Sequence, residues 1–197
     1  MRRIAITGGI GSGKTAVTNY LQSLGSPVVD ADESLTRVTQ PGSPTLEILQ
    51  DAFGPAVINS DGSYNRAFVS HLVFSDDSAR GRLNSITHRA IGIDIIEKLA
   101  ELEDAVVFVA IPLFRPAHRE MFELSEAWAI VAPVEIAVDR LVQRRGMIES
   151  EARSRIASQI SNEERIRICE VSIDNSATLD MLQRKVDETL LQRDLHV

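Results

Sequence analysis

The sequence predicts an α/β protein built on an open parallel sheet, and three observations carry that prediction. Short strand-like stretches recur at 3–6, 27–30, 105–111, 127–132 and 170–173, those at 105–111 and 127–132 continuously apolar. Stretches with helical spacing of apolar residues separate them. One glycine-rich turn, "ITGGIGSGKT" at 6–15, directly follows the first run and precedes the first helix. Strands that alternate with helices call for crossover connections, and therefore for a sheet covered by helices.

Taken in order, residues 3–6 form a short buried strand and 15–24 a helix. In that helix Val17, Tyr20, Leu21 and Leu24 recur at helical intervals, and Gly25 supplies the stop. Pro27-Val28-Val29 opens a second strand that ends at Asp30. From 33 to 103 the chain reads as mostly helical, broken by the turn-rich "QPGSP" (40–44) and "NSDGS" (59–63), an insertion on one edge of the sheet. "AVVFVAI" (105–111) is a continuous valine-rich run, the mark of a strand buried on both faces. "AWAIVA" (127–132) is another, followed after Pro133 by a helix through Val142. "EVSI" (170–173) gives the last strand and 179–191 a closing amphipathic helix. A chain of 197 residues accommodates one such domain with an inserted subdomain.

Composition narrows the function. The net charge of −7 argues against broad nucleic-acid binding, which needs a large cationic face, but leaves room for a small anionic ligand in a local basic pocket. Only three apolar residues separate Arg3 from Thr7, too few for a secretory leader, and no segment reaches membrane-spanning length. Cys169 is the single cysteine, so no intrachain disulfide forms, and the expectation for it is a small buried hydrophobe in a protein of the reducing cytoplasm. No metal-ligand spacing joins the four histidines.

Gly8-x-x-x-x-Gly13-Lys14-Thr15 matches the phosphate-binding loop pattern, with a strand before it and a helix after. Glycines let successive N–H groups point into one concavity that holds phosphate oxygens, and the following helix adds the positive end of its dipole. Lys14 can reach the β- and γ-phosphates, and the Thr15 hydroxyl suits Mg²⁺. Only three of the chain's 21 basic residues are lysines, Lys14, Lys98 and Lys185, which makes a lysine in this loop purposeful. The expected ligand is ATP or GTP.

"VVDADE" places Asp30 and Asp32 where the second strand leaves the sheet, the side on which such sheets bind ligands. One carboxylate could act as general base on an acceptor hydroxyl and the other join the Mg²⁺ shell; alternatively Asp32 simply caps the next helix. Arginines cluster at 140, 144, 145, 153, 155, 165 and 167 with glutamates between them. Some are ordinary ion pairs, yet "RLVQRRGMIESEARSRI" has the helix–Gly–helix form of a mobile lid that carries arginines to a phosphoryl group. Arg140 and Arg144 share a helix face at its root.

These elements, with "SPVVDADE", "PGSP", "FG" (53–54), "RAFVSHLVFSD" (66–76), "RLNSITH" (82–88), "QRR" (143–145), "RIASQIS" and "IDNSAT" (173–178), follow the order found in dephospho-CoA kinases, which the chain resembles from Arg3 to about Leu191. The resemblance implies a P-loop kinase fold: a five-stranded parallel sheet with flanking helices, a helical substrate-binding insertion and a lid. It implies a core of about 1–32, 104–135 and 168–197, a substrate region of about 33–103 and a lid of about 138–165. The activity implied is transfer of the γ-phosphoryl of ATP to the ribose 3′-hydroxyl of dephospho-CoA, with Mg²⁺, in the last step of coenzyme A synthesis. By position, Lys14, Asp32 and Arg140 become the catalytic set, with Asp32 the base. Gly9, Gly11, Ser12, Gly13, Lys14, Thr15, Ala16, Arg144 and Asn175 become the nucleotide set. Asp32, Arg66 and His88 face the substrate, and Thr15 and Asp30 the metal.

The chain departs from the family pattern at three places. Thr15-Ala16 stands for Ser-Thr, which keeps the hydroxyl. Arg89 stands for the proline after His88, which alters the backbone bias at that helix start. In "IPLFR", Ile111 replaces a proline and Arg115 a glutamate, a charge reversal that calls for a compensating arrangement or lowers activity. Beside the resemblance stand a P-loop kinase for another small hydroxyl-bearing metabolite and an ATP-binding protein of low activity.

Overall fold

The computed structural model describes the backbone of residues 1–197 and every side chain except those of Phe74 and Ser75, so that part of "RAFVSHLVFSD" lies outside the described side chains. Five strands form one sheet in the order β2-β3-β1-β4-β5: β1 Arg2–Gly8, β2 Val28–Asp30, β3 Val106–Ala110, β4 Glu126–Val131 and β5 Val171–Asp174. β1 runs parallel to β3 and to β4, with Ile4 opposite both Phe108 and Glu126, and β4 runs parallel to β5 with Ile130 opposite Ile173. β3 and β4 are buried along their whole length, as the apolar runs that fill β3 and follow Glu126 in β4 require. The strand order reverses direction at β1, so the carboxyl end of β1 is the switch point where open sheets take ligands.

Among the described residues ten α-helices accompany the sheet: α1 Lys14–Ser23, α2 Ala31–Val38, α3 Pro44–Phe53, α4 Arg66–Ser75, α5 Asp77–Ala100, α6 Ala117–Met121, α7 Val134–Arg145, α8 Glu149–Ala157, α9 Asn162–Arg167 and α10 Leu179–Gln192. The chain divides into two compact units, Met1–Val29 with Leu102–Val197, and Asp30–Glu101.

In the first unit, Val17 and Leu21 of α1 and Leu182, Val186 and Leu190 of α10 pack with Ile4, Ile6, Phe108, Trp128 and Ile173 of the sheet into one core. Trp128 meets Phe108 edge-on at 5.5 Å between ring centroids. Tyr20 Oη donates to Asp187 Oδ1 at 2.8 Å, which pins α1 to α10 beside that core. A smaller cluster joins Val138 and Leu141 of α7 to Ala152 of α8, with Ile10 of the glycine loop packed against it.

The second unit is all helix apart from a single antiparallel bridge between Ile58 and Tyr64 around "NSDGS". There Asp61 accepts the Ser63 N–H at 2.9 Å and closes the turn. "QPGSP" ends as a helix start: Ser43 Oγ accepts the Leu46 N–H, with Pro44 at the first helical position. Leu46, Leu49, Val57 and Val69 form the core. Arg37 of α2 grips Asp94 of α5 through Nη2 at 2.7 Å and Nε at 3.2 Å. Burial raises the Asp94 pKa, but hydrogen bonds from Arg37 and Ser34 and the Arg37 charge together outweigh it and hold the carboxyl below its usual range. The pair is 36% and 15% exposed, between surface and buried, so Asp94→Asn is expected to destabilise this unit by about 1–3 kcal/mol. A depressed carboxylate stabilises above its unfolded pKa and loses that effect as pH falls through the folded value. Denaturant unfolding should therefore show the mutant deficit in full near pH 7 and a shrinking deficit as pH falls below about 4.

Several expectations change. β1 runs on to Gly8, and α7 runs past Val142 to Arg145, where Gly146, at φ 64°, caps it as the helix–Gly–helix form of 140–156 expects. The five-residue helix α6 has no periodic signal long enough to read. No helix starts at 88–89: Arg89 keeps the N–H that proline lacks, and α5 runs through for 24 residues. Cys169 is half-buried rather than buried, and burial pushes its thiol up to about 11, so it stays a protonated, unreactive thiol.

Candidate active site

The site grows out of the end of β1. After Gly8 the chain turns through Gly9–Gly13 and enters α1 at Lys14. Gly11 and Gly13 sit at φ +79° and +98°, the left-handed region. A side chain at Gly11 would lie 2.7 Å from the Ala137 carbonyl oxygen, and one at Gly13 would collide with Asn175 Nδ2. At both positions backbone and space alike demand glycine. Ser12 N–H donates to Gly9 O at 3.0 Å to close the turn, and Ala16 N–H donates to Gly13 O at 2.9 Å to start the helix. The first N–H groups of α1 have no intrahelical acceptor, which makes this end of the helix receptive to anions. Lys14 is half-buried and Thr15 exposed at its mouth.

Two side chains brace the loop. Asn175, just past β5, is buried; its Nδ2 donates to Ser12 O at 2.7 Å. Arg140 of α7 donates from Nη2 to Asn175 O at 2.9 Å and Oδ1 at 3.3 Å, and from Nη1 to Gly11 O at 3.5 Å. The "DNSA" stretch therefore turns its asparagine inward onto the loop. Burial, then the Arg144 charge, lower the Arg140 pKa, with Asp174 opposing, but a guanidinium keeps its charge at neutral pH. Arg144 lies one turn on, exposed. Asn175→Ala would leave Ser12 O and Arg140 short of a partner, so a loss of about 1–3 kcal/mol is expected in thermal unfolding.

The other arginines divide. Arg153 pairs with Glu135 at 2.7 Å and with Glu149 at 2.8 Å, and Arg155 with Glu151 at 2.7 Å, all on exposed faces. These are the ordinary ion pairs that the interspersed glutamates suggested. Arg165 instead is buried, and the half-buried Gln159 accepts the Ile10 N–H at 2.9 Å. Sequence reasoning did not single out either residue. In the six residues of α9, Asn-Glu-Glu-Arg-Ile-Arg, nothing shows which arginine turns inward.

In the second unit Asp30, not Asp32, caps α2: its Oδ1 accepts the Asp32 N–H at 2.8 Å. Capping therefore does not account for Asp32, which is exposed in the first turn of α2. Arg66, the first residue of α4, donates to Thr36 Oγ1 at 3.0 Å, one helical turn from Asp32. His88 is exposed in the middle of α5. Arg115, in the first unit after β3, is exposed, and its backbone N–H donates to His118 Nδ1 at 3.0 Å.

Among the described residues no three His, Cys, Asp or Glu side chains gather as a metal cluster, and no helix is long and apolar enough to cross a membrane. The family model for dephospho-CoA kinase matches residues 2–180. The chain is 38% identical over 190 residues to the dephospho-CoA kinase of Corynebacterium jeikeium, covering 95% of this chain and 97% of that protein. It is 35% identical over 200 residues to that of Thermobifida fusca, covering 100% and 99%. The solved dephospho-CoA kinase of Campylobacter jejuni shares the fold, with a TM-score of 0.73 at 24% identity over 98% of both chains. With a phosphate-binding loop at its switch point and a match along nearly its whole length, this chain belongs to the dephospho-CoA kinase family.

Proposed function

We propose that the chain transfers the γ-phosphoryl group of ATP to the ribose 3′-hydroxyl of dephospho-CoA, giving coenzyme A and ADP in the cytoplasm. The observation that carries this reading is the braced loop, with Lys14 and Thr15 opening α1 directly behind the left-handed Gly13.

Gly9, Gly11, Ser12, Gly13, Lys14, Thr15 and Ala16 form the cradle for the triphosphate. Lys14 offsets charge on the β- and γ-phosphates, where positioning and electrostatics supply nearly all the catalysis. Arg140, fixed by Asn175, adds positive charge beside the loop, and Arg144 reaches the nucleotide from the exposed face of α7. The segment of about 138–165 acts as the lid. Asp32 takes the proton of the attacking hydroxyl; as the new O–P bond forms, the bond from the γ-phosphorus to the β–γ bridging oxygen breaks and ADP leaves. Arg66 and His88 hold the substrate from the helical unit.

Mg²⁺ fits the donors on offer. It takes oxygen ligands and is bound through few protein groups together with phosphates and water. Thr15 offers an exposed hydroxyl at the loop mouth, and Asp30 a carboxylate that also caps α2. When bound, the ion neutralises charge that develops on the phosphates.

The test is ADP release by the purified protein with ATP, Mg²⁺ and either dephospho-CoA or a panel of nucleosides and sugars. Release that requires dephospho-CoA, with a product heavier by one phosphoryl group, is expected, and shows that Arg115 is tolerated. Release with another acceptor instead overturns the substrate assignment.

A further inference from the structure

Arg165 differs from the other arginines between 140 and 167. It is 3% exposed, and no Asp or Glu pairs with it among the described residues. Its Nη1 donates to Asn162 Oδ1 at a long 3.3 Å, and its buried Nε has no partner. Burial accordingly lowers its pKa. An unpaired buried charge is costly, and proteins keep one where a counter-charge arrives with a ligand.

The surroundings identify that ligand. A cavity of about 140 Å³ is lined by Gly9, Ile10, Ser12, Gln159, Asn162 and Arg165, among others. Ser12 Oγ, also buried, has no hydrogen-bond partner among the described residues. The Ile10 N–H is satisfied by Gln159 Oε1, a neutral oxygen in a position an anionic oxygen could take. Gly9 does not have positive φ; a Cβ there would lie 3.3 Å from Gln159 Oε1 and 3.4 Å from Arg165 Nη1, so both side-chain ends close directly over it. Glu163 also borders the cavity, but it is exposed and engages Ser161 and its own backbone N–H. Three donors thus border one small space beside a phosphate-binding loop: a guanidinium, a hydroxyl and an amide.

We propose that Arg165 is a phosphate-binding residue of this kinase. With Ser12 Oγ and the Ile10 N–H it takes an oxygen of the terminal phosphoryl of ATP, displacing Gln159 Oε1. This rests on the ATP-dependent reading above and adds the residue by which the loop tells a triphosphate from a diphosphate. ADP lacks the group that would compensate Arg165.

Calorimetric binding of ATP, ADP and inorganic phosphate to the full chain and to Arg165→Met, Arg165→Lys and Gln159→Glu tests it, with dephospho-CoA-dependent turnover of the unaltered chain as the control on the underlying reading. In Arg165→Met, ATP affinity should fall by about tenfold or more with ADP changed little, and kcat should fall by about 10²-fold, the effect of losing one strong donor. Arg165→Lys, which keeps the charge, should restore part of both. A folded Arg165→Met with an unchanged ATP-to-ADP affinity ratio overturns the proposal. So does loss of inorganic phosphate binding with ATP binding intact, which would assign the cavity to free phosphate. Should Arg165→Met fail to fold, Gln159→Glu decides. It retains an acceptor for the Ile10 N–H and gives Arg165 an internal counter-ion. The expected result is a higher melting temperature without ligand and ATP binding weakened by about tenfold or more. Retained ATP affinity in that variant overturns the proposal.

Discussion

Lys14→Ala should lose ADP release by at least about 10²-fold while the protein keeps its fold. Lys14 is the first residue of α1, where the helix dipole is positive and a cation is unfavourable by about 0.3–1 kcal/mol. On helix propensity alone alanine is the better helix former. The variant should therefore stay folded without nucleotide. Stabilisation by added ATP should shrink, because the cradle loses a charge aimed at the β- and γ-phosphates. Melting curves with and without ATP, beside an ADP assay, check this. A variant that unfolds without ligand and regains turnover when stabilised would make Lys14 a structural residue and take the loop out of the chemistry.

Asp32→Asn carries the second large effect. Asparagine keeps the shape and cannot take a proton, so kcat should fall by about 10²–10⁴ while ATP affinity stays nearly unchanged. The structure sharpens this test, because Asp30 holds the cap and Asp32 contributes only the carboxylate of a first-turn residue, worth about 0.3–1 kcal/mol to α2. A drop in stability larger than that, or equal damage to ATP binding and to kcat, would assign Asp32 to structure or to the metal. The clean comparison is Asp30→Asn, which keeps an oxygen for the Asp32 N–H and should preserve α2.

Legibility in the sequence followed the range of the interactions. The buried strands at β3 and β4 announced themselves because a strand covered on both faces is apolar without interruption. The glycine loop was legible because its backbone demands residues that few other positions tolerate. α6 was not, since five residues make little more than one turn and show no period. The end of α7 was legible in Gly146: the apolar spacing reaches only Val142, but the helix–Gly–helix form of 140–156 places the stop at the glycine that caps it. At 88–89 the family's proline suggested a helix start, whereas the residue actually present lets α5 continue.

By itself the sequence determined the fold class, the phosphate-binding loop and, through motifs that run in order along the chain, the family. These depend on residue type at short spacing, where composition and backbone chemistry leave few options. Only the tertiary structure decided where the clustered arginines turn. Arg153 and Arg155 turn to neighbouring glutamates, Arg140 is held against the loop by Asn175, and Arg165 is buried beside Gly9 with no carboxylate paired to it among the described residues. Those fates depend on contacts between residues up to about 150 positions apart, such as Ile10 with Gln159, whose energy comes from burial and desolvation. An arginine in a string of letters carries its charge but not its dielectric surroundings, and it is the surroundings that turn Arg165 from a surface charge into a site for an anion.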